Sequence, residues 1–248
     1  MSNLNKRKKM NYNGFETEQL VRERELEMSA AFPALMRKVY TWMALALVIT
    51  GFTAYGIANS PGMLIEIATN KMLFFGLIIA ELALVIGLSA AINRLSLTVA
   101  TLMFVIYSVI NGATLSLIFA LYTMSSISSV FFITAGTFAV MAFIGYTTKT
   151  DLSSMGKFLF MALIGIIIAS VVNIFLKSTG LELIVSYVGV LVFVGLTAYD
   201  TQKIKKMLWE AGDTGETAQK IALLGALSLY LDFVNLFLHL LRIMGDRK

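Results

Sequence analysis

Asp232 lies in the middle of an apolar run, residues 221–243, that is long enough to cross a bilayer. A carboxylate at that depth costs on the order of 3 kcal/mol on insertion scales, so it faces a partner or a water-filled cavity rather than lipid. Ser228, Asp232, Asn235, His239 and Arg242 follow one another at spacings of 4, 3, 4 and 3. On a helix that spacing draws one polar stripe down one face, and the residues around it are Leu, Phe, Val and Ile. The last apolar segment therefore has a wet or partnered side, and the chemistry is expected there.

Two more acids sit in apolar runs. Glu81 is halfway through residues 72–92, in Phe75-Gly-Leu-Ile-Ile-Ala-Glu-Leu-Ala-Leu-Val85. It either lines the same cavity or satisfies polar groups between helices. Asp200 belongs to Gly195-Leu-Thr-Ala-Tyr-Asp-Thr-Gln-Lys-Ile-Lys205, near one end of its run. Alone it reads as a solvated interfacial residue. The turn that follows it changes the estimate. Two glycines and an aspartate in Ala211-Gly-Asp-Thr-Gly-Glu216 mark a reversal. Folding the chain at residue 214 leaves Asp200 and Asp232 out of level by only about 6 Å at the helical rise. Two antiparallel helices thus bring the carboxylates to one level. Two carboxylates held close cannot both ionise cheaply, so such a pair shares a proton and acts as a pH switch. The alternative is that each Asp bonds separately to a nearby Tyr, Ser or Asn. His239, further along the stripe, is a cavity-lining candidate; Asn111 and Asn173 read as interhelical hydrogen-bonding groups.

The elements that position these residues follow from composition. The chain has 248 residues, 58% hydrophobic and 14% charged, against about 25% charge in soluble domains. It is read as an all-α integral membrane protein. Seven segments reach spanning length: residues 40–59, 72–92, 97–122, 128–147, 158–176, 183–203 and 221–243. Residues 1–39 form a polar cytoplasmic tail whose last part becomes a surface helix, and residues 40–248 form the transmembrane domain. The late first apolar run predicts no cleavable signal peptide. The tail side collects fifteen of the 20 lysines and arginines, which places the N-terminus in the cytoplasm. An odd number of spans puts the C-terminus on the other side, although the basic Arg242 to Lys248 end leaves a re-entrant last segment open. With no cysteine and one histidine there is no disulfide, thiolate or His-rich metal site, and no tightly bound cofactor is expected. The net charge of +5 sits in tails and loops and is not a nucleic-acid signal.

The run Gly225-Ala-Leu-Ser-Leu-Tyr-Leu-Asp-Phe-Val-Asn-Leu-Phe237, ending in Leu-Leu-Arg242, closely resembles the signature of the Bax inhibitor-one family, the transmembrane Bax inhibitor motif proteins. Ala198-Tyr-Asp-Thr-Gln-Lys-Ile204 resembles that family's other acidic motif, and Thr148-Lys-Thr-Asp-Leu-Ser153 a third element. The resemblance covers roughly residues 30 to 245. It implies seven helices, with a central C-terminal helix wrapped by two groups of three. It also implies a pH-sensitive calcium leak in which Asp200 and Asp232 form a di-aspartyl sensor. Arg94, ending the second span, matches the arginine that latches one sensor aspartate. Glu81, Ser228, Asn235 and His239 are then pore or cavity residues. Calcium is the permeant ion, touching Asp200 and Asp232 only transiently. Lipid, calcium and protons are the expected partners, and a bacterial inner membrane the expected location.

Two rival classes stand beside this. One is a regulator that acts through a partner such as a membrane protease, with the basic and acidic tail as its contact. The other is an intramembrane aspartyl protease, which Tyr199-Asp200 resembles. Such enzymes carry Gly-x-Gly-Asp in their second motif, where this chain has Leu229-Tyr-Leu-Asp232. A non-enzymatic protein is the expectation.

Overall fold

The computed structural model describes residues 2–212 and 214–248, with side chains for residues 22 and 26 and from residue 28 onward. The charged side chains of residues 6–9 and of Glu27 in the tail, and Asp213 in the predicted turn, lie outside the described set. The described chain consists of α1 (Ser2–Ala58), α2 (Pro61–Thr69), α3 (Lys71–Ala91), α4 (Leu97–Leu115), α5 (Ile118–Leu121), α6 (Met124–Thr147), α7 (Ser153–Leu176), α8 (Thr179–Ala211) and α9 (Glu216–Met244). Seven stretches are long and apolar enough to span: Met28–Ala58, Lys71–Ala91, Leu97–Leu121, Met124–Thr147, Ser153–Leu176, Thr179–Ala211 and Glu216–Met244. Polar side chains start four of them. Asn70, Ser96, Thr123 and Ser178 accept from the backbone N–H groups of Leu73, Val99, Ser126 and Leu181. Each satisfies a donor that a helix start leaves open.

α9 is the axis of the bundle. It is 67% buried over its apolar window, against 6% for α3 and 11% for α7. A helix buried on every side is the core of its protein. α1 and α4 pack on α9 with α3 behind α4, and α6 and α8 pack on it with α7 behind α8. The outer faces of both groups carry exposed Phe52, Ile79, Phe132, Phe160 and Leu191. An apolar belt of this kind matches lipid. The seven-helix, all-α architecture with a central last helix is what the sequence predicts.

The first span starts earlier than residue 40. Met28, Phe32, Leu35, Met36 and Val39 are all buried, while Pro33, Ala34, Arg37 and Lys38 between them are exposed. Apolar residues at i, i+4, i+7, i+8 and i+11 make one helical stripe. Too few of them occur to register as a span by hydropathy. Phe32 stacks on Tyr146 of α6 at 6.4 Å and meets Trp209 of α8 edge-on at 5.8 Å. The end of the predicted tail therefore packs into the bundle as part of α1.

The reversal between α8 and α9 falls where the glycines place it. α8 ends at Ala211, Gly212 takes φ +65°, and α9 begins at Glu216. Only glycine adopts that left-handed conformation without steric cost. α9 then runs unbroken for 29 residues, so the segment is a full span and not a re-entrant hairpin. Its C-terminal end is pinned opposite the Phe32–Trp209 end. Thr123 N donates to Asp246 O at 3.1 Å, Lys248 N to Leu121 O at 3.0 Å, and Arg247 pairs with Glu182 at 3.0 Å.

Candidate functional site

Asp232 sits on α9 at the centre of the bundle and is 4% exposed. Its Oδ2 atom has no hydrogen-bond partner. The charge that acts on it is the Asp200 carboxylate, from α8. α8 and α9 form the most extensive helix pair in the molecule, and the two predicted acids lie one on each of its helices. Asp200 is half-buried, and the cation beside it is Lys203, one turn on. Thr201, also fully buried, faces the Tyr40 hydroxyl of α1.

Two close approaches hold α8 in place around Asp200. Gly145 of α6 lies directly on the Ala198 backbone, with no room for a Cβ. On the other side Gln202 clasps the loop before α7. Its Oε1 accepts from Leu152 N at 2.8 Å and its Nε2 donates to Thr150 O at 2.8 Å. The Ala198–Ile204 and Thr148–Ser153 motifs are thus one structural unit, joined by a side-chain amide. Gln202→Ala removes both bonds, worth about 1–3 kcal/mol together. The expected result is faster hydrogen exchange at Leu152, with α9 amides unchanged.

The same loop contains a pH-dependent turn before α7. Asp151 accepts from the Ser153 hydroxyl at 2.6 Å and from Ser153 N at 2.9 Å. These bonds hold its carboxyl below the ordinary value of 3.8. A depressed pKa stabilises the fold above the ordinary value and loses that contribution as pH falls through the lowered one. Ser153 exchange is therefore expected to rise only in acid, and Asp151→Ala is expected to show the raised level already at neutral pH.

The stripe on α9 continues away from the pair. Ser228 and Asn235 are half-buried, and Asn235 Nδ2 donates to Leu231 O at 2.8 Å. His239 is buried and stacked on Phe193 of α8 at 5.6 Å, and its Nδ1 is unpartnered. Its ring fills the space above Gly189, where a Cβ would come within 2.5 Å of Nε2. Arg242 ends the stripe in a groove of about 320 Å³ shared with Ser170, Asn173 and Glu182.

Two sequence-predicted residues lie elsewhere. Arg94 is exposed in the turn after α3, and no ion pair joins it to Asp200 among the described residues. α3 and α8 belong to different three-helix groups, which keeps the two apart in this packing. Glu81 does not share the Asp232 face. Its Oε1 accepts from Thr114 and its Oε2 from Asn111 of α4. Asn111 in turn meets Tyr230 of α9, which meets Thr50 of α1. Thr50, Thr114 and Tyr230 carry no spacing signal in the sequence. Tyr230 stands inside the α9 motif, but only the fold shows that it points to the α1–α4 side.

No group of three or more His, Cys, Asp or Glu side chains that could hold a metal ion occurs among the described residues.

The comparisons with known proteins agree with this architecture. The family model described as Inhibitor of apoptosis-promoting Bax1 matches residues 33–248. Inner membrane protein YbhL of Escherichia coli (strain K12) is 54% identical over 88% of this chain and 94% of its own length. An uncharacterized protein of Borreliella burgdorferi is 46% identical over 86% of this chain and 92% of its own. A further one from Rickettsia prowazekii is 44% identical over 86% and 89%. The match takes in all seven spanning helices, both acidic motifs and the Gln202 clasp, so the chain is an integral membrane protein of the Bax inhibitor-one family.

Proposed function

We propose that this protein is a pH-sensitive calcium leak of a bacterial inner membrane, with Asp200 and Asp232 as its proton-sensitive gate and its N-terminus in the cytoplasm. The observation that carries the reading is the Asp232 carboxyl, sealed at the centre of the bundle with an unpartnered oxygen and acted on by Asp200. A charge at that position demands water, a proton or a counter-cation. Proton gain or loss at the pair therefore biases α8 and α9 between a tightly packed and a hydrated arrangement. In the hydrated one, Asp200, Asp232, Ser228 and Asn235 offer oxygens to a hard cation, weakly enough to release it. The α9 stripe from Ser228 to Arg242 puts polar groups on the way to the Arg242 groove, which supports a polar route at that end of the bundle. Arg94 serves as a gate cation for Asp200 once α3 and α8 repack.

The chemistry uses no resident cofactor and makes or breaks no covalent bond. Protein reconstituted into sealed vesicles is expected to admit calcium above the level of empty vesicles, at a rate that changes with pH. Entry equal to that of empty vesicles at every pH sinks the reading. A cellular phenotype that follows deletion of the segment before Met28, with calcium entry intact, favours the partner-binding alternative instead.

A further inference from the structure

On the α1–α4 side of α9, four side chains from four helices form one chain, with Thr50, Asn111 and Tyr230 buried and Glu81 half-buried. Glu81 of α3 accepts from Asn111 Nδ2 at 3.3 Å. Asn111 Oδ1 meets the Tyr230 hydroxyl at 2.8 Å, and that hydroxyl meets Thr50 Oγ1 at 2.6 Å. Thr50 Oγ1 meets Ser108 O at 2.9 Å. Tyr230 is fully buried, and Thr50, Ser108 and Asn111 are 5%, 0% and 7% exposed.

The hydrogens do not suffice for these contacts. Tyr230 and Thr50 each bring one hydroxyl hydrogen. Three contacts need one: Tyr230 to Asn111 Oδ1, Tyr230 to Thr50, and Thr50 to Ser108 O. With Asn111 Nδ2 turned to Glu81, one close oxygen–oxygen contact is left without a hydrogen. In a dry interior such a contact is repulsive. One added proton removes the deficit. A protonated Glu81 donates to Asn111 Oδ1 after a half-turn of the amide. Asn111 Nδ2 then donates to the Tyr230 hydroxyl, Tyr230 to Thr50, and Thr50 to Ser108 O. Thr114 still donates to the other Glu81 oxygen. Every oxygen–oxygen contact in the chain then holds a hydrogen.

We infer that Glu81 is a second proton-binding site, separate from the Asp200–Asp232 pair, and that proton uptake there reverses the hydrogen-bond chain Glu81–Asn111–Tyr230–Thr50. The proton comes from solvent and is held on a carboxylate oxygen; no other bond forms or breaks. The titratable groups that face Glu81 are Tyr107 of α4 and Tyr230 of α9, and no ion pair reaches it among the described residues. The chain ties α1, α3 and α4 to α9, so its direction couples one three-helix group to the axis of the bundle. The inference does not rest on calcium conduction.

Infrared difference spectroscopy on the full-length protein in nanodiscs tests it, with pH as the variable. An Asp200→Asn, Asp232→Asn background silences the other buried pair. A protonated-carboxyl band that appears on acidification is expected there, with complete loss in Glu81→Gln. Glutamine places an N–H donor toward Asn111, as the protonated acid does, so that variant keeps its fold. Tyr230→Phe is expected to shift the midpoint of the band. An unchanged band in Glu81→Gln overturns the proton site. A Glu81 band whose midpoint ignores Tyr230→Phe overturns the reversal of the chain.

Discussion

Asp232→Asn is expected to abolish the pH response of calcium entry without unfolding the protein. Asparagine has nearly the volume of aspartate but cannot ionise, so the packing around α9 is kept and the proton switch is removed. A buried group with an unpartnered oxygen stores a penalty of about 1–3 kcal/mol, and ionisation adds to it. Thermal unfolding in detergent should therefore show the variant as stable as the native chain, or more so by about 1 kcal/mol. Gated proteins commonly trade stability for function at such positions. A loss of several kcal/mol would instead assign Asp232 a structural bond that this structure does not contain. Asp200→Asn is expected to lose the pH response as well, because it removes the carboxylate charge that acts on Asp232.

Gly145→Ala is expected to be the most damaging small substitution in the bundle. The added methyl lands on the oxygen, carbonyl carbon and Cα of Ala198, and main-chain atoms cannot turn aside as a side chain does. Overpacking of this kind costs about 1–3 kcal/mol, more than the roughly 1 kcal/mol that alanine gains in helix propensity. Gly136 on the same helix has nothing within 4 Å of its would-be Cβ, so Gly136→Ala should be neutral or stabilising. Small residues allow membrane helices to pack this closely. Ala198 stands two residues before Asp200, so a forced separation of α6 and α8 moves the acidic pair directly. Thermal unfolding of the two glycine variants side by side checks the claim, and calcium entry should fall only in Gly145→Ala.

The helices and the α8–α9 reversal were legible in the sequence because each has a local cause. Runs of about twenty apolar residues make spans, and Gly212 makes the turn. The start of α1 was not legible. Met28, Phe32, Leu35 and Val39 are too sparse to look like a span, and their burial depends on Tyr146 and Trp209, far along the chain. Glu81 had two possible settings, and only the packing of α3 on α4 places it with Asn111 and Thr114. Gln202 was visible as a letter in a motif, but its grip on Leu152 spans 50 residues. The Arg94 position shows the same limit. Its place at the end of a span is local, whereas its distance from Asp200 depends on which group of three each helix joins.

The central claim is that the two aspartates are the pH gate. Calcium entry into sealed proteoliposomes, followed across about pH 5 to 8, tests it most directly when the native chain is compared with the Asp200→Asn, Asp232→Asn double variant. The account predicts a pH-dependent rate in the native chain and a flat profile in the variant, with both folded. An identical pH profile in the two proteins contradicts it.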